Sequence, residues 1–317
     1  MDQLYIASII SSDKQKSSIY NNLIIKNNLE WKKFDESHIL SWLHNFSPSE
    51  EDIYLALILA NKIMFYSKRK IHYLWRFLLY NKLKIAISEK YFTGQSLSEI
   101  NRSFQKFIEN KCIFTPFGSA GDSGEAMHYD FSHVVGNSRL KNIDLSFLIA
   151  NFDQLKEDEC KNRDTIILID DFIGSGNQAT NFWDKRKFVN KTLKDLHEKN
   201  PEIRFYYLAL CGMAEGVSEI SSSLPITVIV GEELDDRFKC FSTCSQIFSD
   251  PEERRKAEIL MTTKGKYLYS HPLGYKNSQL AIAFDHNTPN NSLPVIWKKK
   301  TDGSWYPLFK RYGEEEE

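Results

Sequence analysis

Asp170 and Asp171 stand side by side at the end of a purely apolar run, Ile166-Ile167-Leu168-Ile169, and are followed by Gly174-Ser175-Gly176-Asn177-Gln178. Adjacent carboxylates accept hydrogen bonds and donate none, so they match a ligand with paired donors, such as the two hydroxyls of a ribose diol. A glycine-rich turn opening a helix does the opposite job. Its amides and the positive end of the helix suit a phosphate monoester, and glycines let the backbone come close. The Ser175 hydroxyl adds one more donor. Carboxylates repel a phosphate placed on them, so the two halves must address different parts of one ligand. The pattern predicts a sugar phosphate at the carboxyl end of a buried parallel strand, where α/β folds take ligands.

Three other readings compete. Gly174, Gly176 and Ala179 match the spacing of a dinucleotide fingerprint, but there the first glycine follows the strand directly, and here two acids intervene. The acid about 20 residues on that such folds use for a ribose would be Asp195, inside a predicted helix. A Walker loop needs Gly-Lys-Ser/Thr, which is absent at this turn. An ordinary exposed turn would not call for a wholly apolar strand ending in Asp-Asp.

A second small-residue stretch, Gly121-Asp122-Ser123-Gly124, follows the predicted strand Cys112–Phe114 and can also turn amides toward an anion. Asp122 offers a hard oxygen to Mg²⁺, which pairs with phosphates. His271–Gln279 and Asn287–Asn291 suit either a cap over a ligand or plain turn chemistry. His128 and His133 flank Asp130 and are acid/base candidates, although single histidines are more often structural. Lys62, Lys68, Arg69, Lys70, Arg76, Lys82 and Lys84, with Tyr66, Tyr73 and Trp75, form either a nucleic-acid face or a solvated face over core aromatics.

The elements that must position these residues differ between the two ends of the chain. Ser47-Pro48-Ser49-Glu50 is a helix start, with Ser47 as cap and Pro48 in the first helical position. Apolar residues at helical spacing follow from Ile53 to Met64, from Ile71 to Leu83 and from Leu97 to Ile108. No strand signature precedes residue 112. Strands are then predicted at Cys112–Phe114, Thr165–Ile169, Phe205–Leu210, Ile226–Val230, Leu280–Phe284 and Pro294–Trp297. Their alternation with helical stretches indicates an α/β fold with a parallel sheet. The expected organisation is a helical domain over 1–110, an α/β domain over 111–313 and an acidic tail over 314–317.

The bulk properties set limits. The chain has 317 residues, 42% of them apolar, enough for two cores. A net charge of −1 excludes a protein governed by a basic surface. The five cysteines are odd in number and scattered, which fits reduced thiols in the cytoplasm. Cys240 and Cys244 lack a nearby second pair for zinc. No signal peptide or spanning segment is expected, so no membrane association is either.

The run from Ile166 to Thr180 resembles the phosphoribosyl pyrophosphate motif of type I phosphoribosyltransferases: a hydrophobic run, two acids, a hydrophobic pair and a Thr/Ser-Gly loop. The resemblance implies that Asp170 and Asp171 face the ribose hydroxyls, and that Ser175, Gly176, Asn177 and Gln178, with Gly174, hold the 5-phosphate. Gly174 stands where Thr is common and Gln178 where Thr or Ser is common, so the loop has fewer hydroxyl donors. In the related fold the loop after an early strand grips pyrophosphate, which here implies Gly121–Gly124, with Mg²⁺ as cofactor. Together with His271–Gln279 and Asn287–Trp297, the chain is similar to phosphoribosyltransferase-like proteins of bacterial conflict systems, some of which accompany retron reverse transcriptases in anti-phage loci. That implies a defence effector. Two further expectations stay open: a module that senses phosphoribosyl pyrophosphate or a nucleotide without transfer, and an assembly module for a reverse transcriptase or nucleic-acid complex.

Overall fold

The computed structural model describes residues 2–117, 123–157 and 160–311. The chain divides into two compact units: residues 1–69 with 235–317, and residues 70–234. This division differs from the expected one near residue 110. Both ends of the chain build the first unit, and the helical stretch after residue 70 belongs with the large sheet.

In the first unit, α1 (Asp2–Ser11), α2 (Lys14–Lys26), α3 (Glu36–His44) and α4 (Glu50–Lys62) precede a short strand β1 (Met64–Tyr66). The helix start at α4 is shifted by two residues. Ser49 is the cap and accepts from the Asp52 N–H, while Ser47 and Pro48 lie before the helix. β1 corrects the expectation of no strand before residue 112. Three residues are too few to show a period, and its partner lies far off in sequence.

The second unit holds α5 (Lys68–Phe77, across the boundary), α6 (Lys84–Tyr91), α7 (Leu97–Asn110), β2 (Cys112–Pro116), α8 (Ser123–Val135), β3 (Lys141–Asn142), α9 (Leu145–Glu157), β4 (Thr165–Ile173), α10 (Asn177–Asp184), α11 (Leu193–Lys199), β5 (Arg204–Met213), α12 (Ala214–Ser223) and β6 (Ile226–Leu234). Local signals place several of these. Ser96 and Glu99 close a capping box on α7, and Thr192 and Asp195 close one on α11. Asp195 is thereby a capping residue, which removes the acid that a dinucleotide site would need.

The chain then returns to the first unit with α13 (Pro251–Leu268), β7 (Ile282–Phe284) and α14 (Pro294–Trp297). β7 pairs in parallel with β1, Met64 opposite Ile282. Pro294–Trp297 is a helical turn, not the expected strand. Pro294 sits at its start, where its missing N–H is not needed. Its four residues are buried, and a short buried apolar run does not distinguish helix from strand. Trp42 is fully buried and its indole N–H donates to Val295 O at 2.8 Å. Trp42→Ala is expected to destabilise this unit by about 3–5 kcal/mol, read as an early transition in chemical denaturation.

The five strands of the second unit run parallel in the order β3-β2-β4-β5-β6. β4 is buried along its whole length, as its apolar composition requires. On one face Ile166, Leu168, Phe205, Tyr207 and Ala209 pack with Leu145, Phe182 and Trp183 of α9 and α10. On the other, Phe131 of α8 lies between Phe114 and Trp75. The chain runs from β2 outward to β3, then crosses back to β4 on the other side of β2. The direction of winding therefore reverses between β2 and β4.

Candidate functional site

That reversal is the switch point where open α/β sheets bind ligands, and the acid pair stands beside it. The last residue of β2, Pro116, pairs with Ile169, and the next amide, of Phe117, donates to Ile169 O at 2.8 Å. Beyond Ile169, β4 continues against β5, with Asp170 opposite Ala209 and Phe172 opposite Cys211. Asp170 and Asp171 are thus the first residues of β4 past the end of its other neighbour.

Both acids are buried, Asp170 to 3% exposure and Asp171 to 8%. Asp170 Oδ1 accepts the Asp171 N–H at 2.8 Å, and Oδ2 accepts the Tyr207 hydroxyl at 2.7 Å. Burial, followed by the charge of Asp171, holds the Asp170 carboxyl well above the usual carboxylate range, and the bond from Tyr207 works against that rise. Burial and the charge of Asp170 likewise raise the Tyr207 phenol well above its ordinary value. Tyr207 touches the acid pair, a contact that the motif did not reveal. Its place on β5 is three-dimensional neighbourhood, which no spacing in the sequence encodes.

The loop after the acids turns through Gly174 and Ser175 to Gly176, which has φ +79° and caps α10. That φ lies where side chains are strained, so glycine is required. No side chain caps the start of α10, so its first amides have no such acceptor. Asn177 and Gln178 are exposed, while Gly174 and Ser175 are half-buried. The back of the loop rests on α12. A Cβ at Gly216 would meet Gly174 O at 1.9 Å, and one at Gly176 would meet Gly216 O at 3.0 Å. The loop is therefore seated by its neighbour rather than by bonds of its own side chains. Gly216 has no local signature; only the fold shows its use.

The other expected residues are distributed differently. Gly121 and Asp122 lie outside the described residues, and of Ser123 and Gly124 only the backbone is described, at the start of α8. His128 bonds to Asn142 Oδ1 at 2.9 Å, His133 to Tyr129 O at 2.9 Å, and Asp130 pairs with His72 at 3.2 Å. These contacts give the histidines structural work. His271–Gln279 and Asn287–Asn291 belong to the first unit and hold each other: the Tyr275 N–H donates to Asn290 O at 2.8 Å, and Ser278 Oγ to Asn291 O at 2.7 Å. Of the basic stretch, Lys70 pairs with Glu232, Lys82 donates to Val230 O, and Tyr66 and Trp75 are fully buried.

Among the described residues, no three acid, histidine or cysteine side chains converge as a metal cluster. Mg²⁺ commonly takes one or two carboxylates and completes its shell from substrate phosphates and water. The paired hard oxygens of Asp170 and Asp171 fit that manner of binding. No described helix is long and apolar enough to cross a membrane.

A model of the PRTase-CE family matches residues 39–311. The chain belongs to the PRTase-CE family. The parallel sheet, its switch point and the strand-acid-acid-loop order therefore form a phosphoribosyltransferase-like domain. The match covers residues of both units, so this PRTase-CE chain carries its family's sequence beyond the sheet itself. No match is found among curated proteins.

Proposed function

We propose that the switch point of this PRTase-CE protein binds the 5-phosphoribosyl group of phosphoribosyl pyrophosphate and presents C1 for pentosyl transfer. The observation that carries this reading is the position of the acid pair: two carboxylates just past the end of β2, followed at once by a glycine loop that opens an uncapped helix. The ribose hydroxyls donate to Asp170 and Asp171. The 5-phosphate lies on the amides of Ser175, Gly176, Asn177 and Gln178, next to Gly174. Gly121–Gly124 takes the pyrophosphate. The acid pair or Asp122, together with the pyrophosphate oxygens, would hold Mg²⁺, which would neutralise charge at the leaving group.

In transfer, the bond from C1 to pyrophosphate oxygen breaks and its electron pair leaves with pyrophosphate. An acceptor lone pair closes on C1, and the acceptor's proton leaves to solvent. No protein nucleophile is needed; holding the sugar and stabilising charge provide the acceleration. The resemblance to conflict-system proteins supports a defence effector as the setting, with a reverse transcriptase or nucleic-acid complex as partner. Sensing without transfer is the second reading, favoured by the loop's lack of a Thr at Gly174 and of a hydroxyl at Gln178.

Calorimetry tests the site. Phosphoribosyl pyrophosphate with Mg²⁺ is expected to bind with a Kd on the order of micromolar, about −8 kcal/mol. Ribose 5-phosphate should bind more weakly, and unphosphorylated ribose should give no heat. Absence of heat with millimolar phosphoribosyl pyrophosphate would overturn the reading. Pyrophosphate release with bases, nucleotides or nucleic acid as acceptors then separates transfer from sensing.

A further inference from the structure

The buried tyrosine beneath the acid pair has no place in the motif, yet it touches the pair directly. Its hydroxyl donates to Asp170 Oδ2 at 2.7 Å, while the Asp171 amide donates to Oδ1 at 2.8 Å. The two bonds grip opposite ends of one carboxylate. Tyr207 itself is held from behind. The Phe117 ring packs on it with centroids 4.7 Å apart, and the Phe117 N–H donates to Ile169 O at 2.8 Å. The hydroxyl therefore cannot swing away from Asp170 without unpacking the end of β2. Each carboxylate oxygen has a second lone pair, so a carboxylate gripped in this way can still accept from a ligand.

We propose that Tyr207 is a positioning residue for the acid pair, clamping Asp170 with the Asp171 amide in one rotamer so that the sugar-facing acceptors are set before the sugar arrives. This rests on the reading of the site as a ribose-phosphate binder. The gain is pre-organisation: a carboxylate already ordered loses less freedom when the ligand binds.

The test is Tyr207→Phe in the full chain, which keeps the ring packed and removes only the hydroxyl. Thermal stability is measured without ligand, and binding of ribose 5-phosphate, of phosphoribosyl pyrophosphate with Mg²⁺ and of inorganic phosphate by calorimetry. Both sugar phosphates should bind about two- to tenfold more weakly to the variant, the cost of ordering one side chain on binding, while inorganic phosphate, which takes only the loop, should bind as it does to the wild type. Unchanged affinity for the sugar phosphates, or an equal loss for inorganic phosphate, would overturn the positioning role and leave the site reading intact. If the wild type binds neither sugar phosphate, the ribose-phosphate reading fails and the sugar-positioning role falls with it.

Discussion

Replacing both acids of β4, Asp170→Asn with Asp171→Asn, is expected to abolish phosphoribosyl pyrophosphate binding, and the Asp170 change is expected to gain stability relative to the native chain as pH rises. The first effect follows from the loss of two charged acceptors. Hydrogen bonds to charged groups are worth about 1.5–3 kcal/mol each, so affinity should fall by at least about 100-fold. The second effect follows from burial. Asp170 holds its proton more tightly folded than unfolded. Its contribution to stability is fully present below the unfolded value of about 3.9 and is lost as pH rises through the folded value. Asn does not ionise and escapes that loss. The variant's advantage should therefore grow from about pH 4 upward and level off above the folded pKa, every tenfold gain in proton affinity on folding being worth about 1.4 kcal/mol. Calorimetry and a melting series across pH check both halves. Retained binding would remove the acids from the site, and a variant less stable at high pH would show that Asp170 is not held uphill.

Gly216→Ala should weaken ribose 5-phosphate binding by about ten- to hundredfold, through overpacking worth about 1–3 kcal/mol. Gly216 lies in the first turn of α12, and its φ lies outside the left-handed region. Alanine there is favoured by about 1 kcal/mol on helix propensity alone. Any loss must therefore come from the contact. The added Cβ would lie 1.9 Å from Gly174 O, which is backbone and cannot rotate aside. Either the loop or the helix must shift, and a shift of the loop moves the amides that the proposed function assigns to the phosphate. A Gly216→Ala protein with wild-type affinity for ribose 5-phosphate would show that α12 does not seat the loop. Gly303→Ala is the matched control: its φ is positive but its surroundings are open, so strain alone is reported.

The sheet and the acid-glycine loop were legible in the sequence because both write themselves in consecutive residues. Ile166–Ile169 is a short apolar run rich in β-branched residues and closed by polar and turn residues, which favours a strand buried on both faces, and Gly174–Gly176 marks a turn wherever it occurs. What the sequence withheld is set by neighbours in space. Tyr207 and Gly216 lie on β5 and α12, the next strand and helix along the chain, and neither has a pattern that points at the loop. β1 was hidden by its length, and Pro294–Trp297 by the ambiguity of a short apolar run. The unit boundary was missed for a similar reason. The change of texture near residue 110 is a change from helices to strands, whereas compactness depends on which helices cover which sheet. Trp75 of α5 and Phe131 of α8 meet over one face of the sheet, and helical periodicity alone cannot announce that.

The first unit is assembled from the two ends of the chain, with the second unit spelled between them. On a ribosome the early helices therefore emerge long before the residues that finish their core, and β1 waits for β7 for on the order of tens of seconds at ordinary rates of synthesis. Throughout that interval Trp42 lacks the Val295 carbonyl that its indole engages in the finished protein. The sheet unit, by contrast, is complete in sequence once Leu234 has been added. The nascent chain thus passes through a stage in which the sheet with its acid pair and glycine loop is whole while the part encoded first is still half-made, a stage at which chaperones would meet apolar helices rather than the sheet.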